Sequence, residues 1–317
     1  MKIQEFCQTF GVEIEMKYIT RQEIATLLQE YFNTRYIYLG GTYDKYLIPD
    51  DKDRKWQVVS DSSLHDSNKG CEVVTPILEY DDLDTLKNII NLIGISNKVV
   101  IDEECGVHVH IGNTFFTART LRNLQNLIYN YEPLLFEMLN VDLHSYRALN
   151  YCKLSDTHFV QKLNEVKPRG LLRFADIWYS SQFNTKPRNN HYNETRYHNL
   201  NLHAFFNKGT VEFRLFNGTL DSEMIISYVL LSLALCCYSC GKTISVKMDD
   251  IKYKEKDSLF RLNKFLDMIG LDDKEYPINN NKLLESMLKK QSNGFSDKIL
   301  DKNNDINYNS NIRLNFY

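Results

Sequence analysis

The sequence predicts a mixed α+β fold built on antiparallel strands. Three observations predict it. Several short runs alternate apolar and polar residues with the period of a strand, two pairs of such runs flank short polar turns, and the stretches between them repeat apolar residues at helical spacing. With 317 residues, 43% of them hydrophobic and 12% aromatic, the chain can bury a sizeable core in one large domain or one domain with an appendage.

Residues 9–16, TFGVEIEM, alternate apolar and acidic side chains and read as the first strand. Residues 21–32 follow as a helix, with Ile24, Leu27, Leu28, Tyr31 and Phe32 on one stripe. TYDKYLI and KWQVVSD flank PDDKDR and form a hairpin that leads into a loop from Asp61 to Gly70. CEVVTPIL is a short strand closed by Pro76, and Asp81 to Ile95 is a capped amphipathic helix. VVIDEECGVHVHIG leads into a strand in which Val107, Val109 and Ile111 alternate with His108 and His110.

A helix begins near Thr117, and Leu121, Leu124, Leu127, Ile128, Leu134 and Leu135 give it a core-facing stripe as far as Leu139. Residues 142–197 read as a long, mostly polar segment that includes the loop NTKPRNNHYNETRYH. NLNLHAFF and TVEFRLFNGTL then read as two strands joined by a tight turn at Asn207-Lys208-Gly209. After Asp221 the chain is helical through Lys242. Its apolar stretch, Ile225 to Cys240, is interrupted by serines and tyrosines, which suits a buried helix rather than a membrane span. Beyond it the composition shifts to Lys, Asp and Asn, with modest helices at Leu259–Ile269 and Asn281–Leu288. The expected organisation is a domain over 1–242 and a peripheral, mainly helical and polar extension over 243–317.

Lys and Arg number 38 against 41 Asp and Glu, so no broad cationic field is available to hold nucleic acid. The seven cysteines are odd in number and scattered, and MKIQEFCQTFGVEIEM carries acids where a signal peptide needs an apolar run. Reduced thiols in a cytoplasmic protein are expected.

The chemistry lies in what the strands present opposite their apolar residues. Glu13 and Glu15 share a face with roots roughly 6.5–7 Å apart. Two carboxylates that close repel unless a cation lies between them. His108 with His110, and Glu212 with Arg214, repeat the arrangement, and Glu72 adds a carboxylate. Each feature has a plainer reading: charges on a solvated edge strand, satisfied structural histidines, a simple ion pair. Their conjunction points instead to a site whose oxygen donors and one or two imidazoles suit magnesium or manganese, with an arginine placed for phosphate; zinc stays open if both histidines ligate.

These motifs, FGVEIEM (10–16), the Asp61 loop with CEVVTPIL (71–78), CGVHVHIG (105–112) and RYHNLNLHAFFNKGTVEFRLFNGTLD (196–221), resemble the amidoligase family of the glutamine synthetase and glutamate-cysteine ligase superfamily. The resemblance covers roughly residues 6–240. It implies a glutamine-synthetase-like curved antiparallel sheet forming half a barrel, with helices on its convex side and an ATP-binding funnel on its concave face. It further implies ATP-dependent phosphorylation of a carboxylate, then displacement of phosphate by an amine, with Mg2+ or Mn2+ as cofactor. Glu13, Glu15, Glu72 and Glu212 match metal-binding acids. One of His108 and His110 joins them while the other touches phosphate; the motif leaves open which, and we take His108 as the ligand and His110 as the nucleotide contact. Arg214 matches a phosphate-contacting arginine, and Arg196 a position facing phosphate or the substrate carboxylate. Asp61 is placed to deprotonate or orient the amine, or else caps its own turn. Arg147 is a weaker substrate-carboxylate candidate. The implied partners are small-molecule or peptide carboxylates and amines, and the fold occurs both as rings and as single chains.

Other readings fit these residues less well. Cys105 as a nucleophile beside the histidine strand leaves the acidic cluster without a purpose. The Cys237/Cys240 pair lies in an apolar helix and reads as core. A metal-dependent hydrolase using His108 and His110 has less need of Arg214 and Arg196. A non-catalytic nucleotide-binding descendant has little reason to keep every acid.

Overall fold

The computed structural model describes residues 6, 8–61, 63–64, 70–96, 98–182, 185–246 and 258–271. Its strands are β1 (Phe10–Met16), β2 (Ile37–Gly40), β3 (Lys45–Pro49), β4 (Lys55–Val59), β5 (Cys71–Val74), β6 (Gly106–Gly112), β7 (Leu200–Asn201) and β8 (Thr210–Asn217). They form one open antiparallel sheet in the order β2-β3-β4-β5-β1-β6-β8-β7. The fold is α+β, as the sequence predicts. The strand that comes first in the chain lies inside the sheet, between β5 and β6, so its acids have strand neighbours on both sides.

Alternation splits the sheet into two faces. Val12, Ile14, Trp56, Val73, Val109 and Phe213 are buried in the core. Each such side chain contributes about 1.5–3 kcal/mol relative to exposure. Helix α1 (Arg21–Phe32) packs on β3 and β4. It starts where Thr20 and Glu23 form a reciprocal capping box and stops at Asn33, which adopts a left-handed conformation with φ 52°. Helices α2 (Leu83–Gly94) and α3 (Ala118–Met138) flank α8 (Ser222–Gly241), which packs on β6. Among the described residues α8 is the helix long and apolar enough to cross a membrane, and most of it is buried inside the fold.

Described residues beyond α8 are tied to the core. Asn123, Asn126 and Asn130 of α3 donate to the carbonyls of Lys242, Ile244 and Ser245 at 2.5, 2.8 and 2.9 Å. Helix α9 (Ser258–Ile269) buries Leu262, Phe265 and Leu266 in the same core. The helix expected at Asn281–Leu288 and most of the Asp61–Gly70 loop lie outside the described residues.

Three local expectations are corrected. Residues 142–197 contain helices α4 (Tyr146–Asn150), α5 (Thr157–Val166) and α6 (Leu171–Ser180). The polar average hid apolar residues at helical spacing; Phe159 of α5 meets Trp178 of α6 edge-on, ring centroids 4.9 Å apart. NLNLHAFF is not one strand either. β7 ends at Asn201, whose Oδ1 accepts from Ala204 N at 3.2 Å and opens helix α7 (His203–Asn207), so a helical turn rather than a tight hairpin returns the chain to β8. Finally, the sequence reading has no strand at β2. Ile37, Tyr38 and Leu39 are all exposed at the sheet edge, so no buried face imposed an alternation there.

Candidate functional site

Register brings the polar residues of four strands together. Glu13 of β1 lies opposite His108 of β6, Glu15 opposite Glu72 of β5, and His110 opposite Glu212 of β8. The β6–β8 pairing passes from Val109↔Phe213 to Val107↔Phe216, so β8 carries an extra residue opposite His108. Phe216, not Leu215, is therefore the residue that returns opposite Val107.

The distances are short. His108 Nδ1 is 3.1 Å from Glu13 Oε2, and its Nε2 is 3.6 Å from Glu15 Oε1. His110 Nε2 is 3.2 Å from Glu13 Oε1, and its Nδ1 bonds Thr210 Oγ1 at 2.9 Å. Arg214 Nη1 donates to Glu212 Oε1 at 2.5 Å, and Asn201 Nδ2 to Glu212 Oε2 at 2.7 Å. Arg214 Nε donates to the Tyr151 carbonyl at 3.1 Å.

Burial dominates the electrostatics. It pushes the Glu15 carboxyl up to about 8, with Asp61 adding to the rise, and it raises Glu72 well above the usual range, helped by Glu13 and Asp61. Burial would raise Glu13 and Glu212 too, but His110 and Lys208 hold Glu13 below its ordinary value and Arg214 does the same for Glu212. Burial, with Arg214 nearby, drives His108 down to about 4, so its imidazole is neutral at pH 7. Burial, with the neighbouring acids adding to it, makes Glu15 and Glu72 hold their protons more tightly than free carboxyls, and a divalent cation could replace those protons.

Two groups of ligand atoms, Glu13–His108–Glu212 and Glu15–Glu72–His108, each lie within 4.8 Å of one another and share His108. His110 Nε2 is buried and faces the acids, 3.2 Å from Glu13 Oε1 but without a well-aligned hydrogen bond. Carboxylate oxygens gathered around one neutral imidazole fit a hard divalent cation.

A cleft of about 490 Å³ opens over this cluster. Glu13, Glu72, His108, Arg214, Arg196 and Asp61 line it, while Glu15, His110 and Glu212 are buried and are not among its lining residues. Asp61 also accepts from Ser63 N at 2.6 Å, so it caps its turn as well as facing the cleft. Arg196 ends a 3-10 turn, Glu194–Arg196, with its guanidinium 5.7 and 5.6 Å from the rings of Tyr192 and Tyr197.

A family model described as "putative amidoligase enzyme" matches residues 7–236, which include every strand of this sheet. The chain belongs to that amidoligase family. No curated protein matches it.

Several amidoligase cleft residues carried no signal in the sequence. Lys208 stood in what reads as a turn, yet its Nζ is 3.3 Å from Glu13 Oε1. Lys45 and Gln57 come from β3 and β4, while Tyr43, His191 and Tyr192 come from loops. Only the alternation KWQVV, with Trp56 and Val58 buried, could have placed Gln57 on the acidic face. Arg147 does not line the cleft; its Nη2 donates to the Arg214 carbonyl at 2.5 Å. Cys105 is also outside it, with burial pushing its thiol up to about 12, which leaves it unreactive. Of the Cys237/Cys240 pair, Cys237 is buried in α8, whereas Cys240 is only half-buried, its Sγ donating to the Phe115 carbonyl at 3.7 Å.

Proposed function

We propose that this amidoligase is an ATP-dependent carboxylate–amine ligase with a glutamine-synthetase-like sheet, curved so that the acidic face is concave. The γ-phosphoryl group of ATP passes to a substrate carboxylate, giving an acyl phosphate and ADP. An amine then attacks the acyl carbon, phosphate leaves, and the amine proton goes to a base. The observation that carries this reading is the pairing of two acid–imidazole groups, joined at His108, with a cleft that also holds Arg196, Lys208 and Arg214.

Glu13, Glu15, Glu72 and Glu212, together with His108, would hold the divalent cation, and His110 would face the nucleotide. Magnesium or manganese there would offset the charge of the transferring phosphoryl group. Arg214 is oriented by Glu212 and the Tyr151 carbonyl, which leaves its Nη2 amino group for a phosphate oxygen. Arg196, whose guanidinium lies near the Tyr192 and Tyr197 rings and donates to the His191 carbonyl, presents a cation at the cleft to a phosphate or carboxylate. Asp61 is the cleft carboxylate on a loop rather than a sheet strand, and it serves as the base for the incoming amine. The substrates are small-molecule or peptide carboxylates and amines, met in a cytoplasm, with no part for nucleic acid or membrane.

The test is ADP and phosphate release from ATP and Mg2+ with pooled carboxylates and amines. Release that depends on both co-substrates supports the ligase. Hydrolysis of simple amides or esters without ATP overturns it.

A further inference from the structure

Lys208 is the cleft residue whose position the acid cluster does not by itself explain. It follows α7 directly, its N–H donates to the Ala204 carbonyl at 2.7 Å, and Gly209 behind it takes φ +74°, the left-handed turn that delivers the chain into β8. The root is therefore held by the fold. The side chain is 39% exposed and lines the cleft, so its ammonium head can be reached by a ligand there. At rest the head sits 3.3 Å from Glu13 Oε1, the same oxygen that His110 Nε2 approaches to 3.2 Å. Glu13 also belongs to the first acid–imidazole group, with His108 and Glu212. A cation drawn to that group must share Glu13 with an ammonium already beside it. Lys45, Arg196 and Arg214 line the same cleft, so an anion entering there meets Lys208 among several cationic side chains.

We propose that Lys208 is a nucleotide-phosphate contact whose resting partner is Glu13, so that one ammonium group couples cation binding to phosphate binding. Resting on the ligase reading above, the inference adds a residue and a direction of coupling to it. With the cleft empty Lys208 neutralises Glu13 and competes with a divalent cation. A polyphosphate draws the ammonium away from Glu13 and frees the carboxylate for metal. Cation and nucleotide then bind better together than apart, by the reciprocity any such linkage requires.

The experiment measures Mn2+ binding by loss of the free-ion paramagnetic resonance signal, with and without the non-hydrolysable ATP analogue AMPPNP, for wild type, Lys208→Met and Lys208→Arg. In the absence of nucleotide, Lys208→Met should bind Mn2+ about five- to tenfold more tightly than wild type, a change within the range of a single coupling. It should bind AMPPNP at least fivefold more weakly, and the enhancement of Mn2+ affinity by AMPPNP seen in wild type should shrink. Lys208→Arg, which keeps the charge, should behave like wild type in the absence of nucleotide. Unchanged or weaker Mn2+ binding in Lys208→Met, with wild-type binding intact, overturns the role of Lys208 and leaves the metal site standing. If wild type binds no Mn2+, the metal site fails and this inference with it.

Discussion

Arg147 packs its guanidinium against the backbone of Gly106 so closely that a Cβ on residue 106 would fall 2.5 Å from Nη2. The same Nη2 donates to the carbonyl of Arg214, on the stretch of β8 that bulges opposite His108. The N–H of Gly106 meanwhile donates to Glu15 Oε2 at 2.6 Å. One glycine thus makes room for the strut under Arg214 and holds a buried acid. Gly106→Ala should destabilise the protein by about 1–3 kcal/mol, as overpacking does. Combining it with Arg147→Met should cost at least about 0.5 kcal/mol less than the sum of the two single changes, because the clash is removed. Urea denaturation of the four proteins checks this, and strict additivity would show that Arg147 is not the constraint on Gly106.

Glu13 and Glu212 look alike in sequence but should respond differently to substitution. Glu212 is 1% exposed and paired to Arg214, which is itself buried, so Glu212→Leu strands a buried guanidinium and should cost about 3–5 kcal/mol. Glu13→Gln removes a carboxylate charge that His110 and Lys208 stabilise but keeps a hydrogen-bonding group of the same shape, so it should lower the unfolding midpoint less than Glu212→Leu while weakening Mn2+ binding about tenfold or more. Comparing melting curves with Mn2+ titrations separates the two outcomes.

Stability without metal should depend on pH in a defined direction. Glu15 titrates at about 8 in the folded protein, above its unfolded value, so between these values the native state holds a proton that the unfolded state has lost. Stability then falls as pH rises through that window. His108, lowered to about 4, works the other way, but only between about 4 and its unfolded value near 6.5, where the unfolded state binds the extra proton. From pH 6.5 to 8 the His108 contribution is spent and the carboxyls remain. The denaturation midpoint of EDTA-treated protein should decline there, by up to about 1.4 kcal/mol per pH unit for each protonated carboxyl. Saturating Mn2+ should flatten or reverse the slope, since the cation replaces those protons. A rising slope without metal would contradict the buried-acid arrangement.

Asn193 holds the loop that supplies His191, Tyr192 and Arg196. It is fully buried; its Nδ2 donates to the Lys186 and Pro187 carbonyls at 2.9 and 3.1 Å, and its Oδ1 accepts from Thr195 N at 3.1 Å. Asn193→Ala should cost about 1–3 kcal/mol through the groups left unpaired. Amide exchange should rise across 185–197 while β1 and β6 stay protected, and AMPPNP affinity should fall with it. Unchanged exchange in that loop would show that the asparagine does not anchor it.

The face that each acid occupies was determined by the sequence alone. In FGVEIEM, GVHVHIG and VEFRLF the period of two separates apolar from ionisable side chains, and burying one face of a strand commits the other to whatever lies above it. The long helices were equally legible, because the apolar stripes and caps that form α1 and α3 are local. Which strands become neighbours was not local. Only pairing of β1 with both β5 and β6 sets Glu13 beside His108 and Glu15 beside Glu72, and only the extra residue in β8 aims Arg214. The same reason hid the cleft walls. Lys208, Tyr192 and Tyr43 sit in loops without periodicity, and the distance of 3.3 Å between Lys208 and Glu13 joins residues 195 positions apart, a contact that the packed sheet creates and no local pattern encodes.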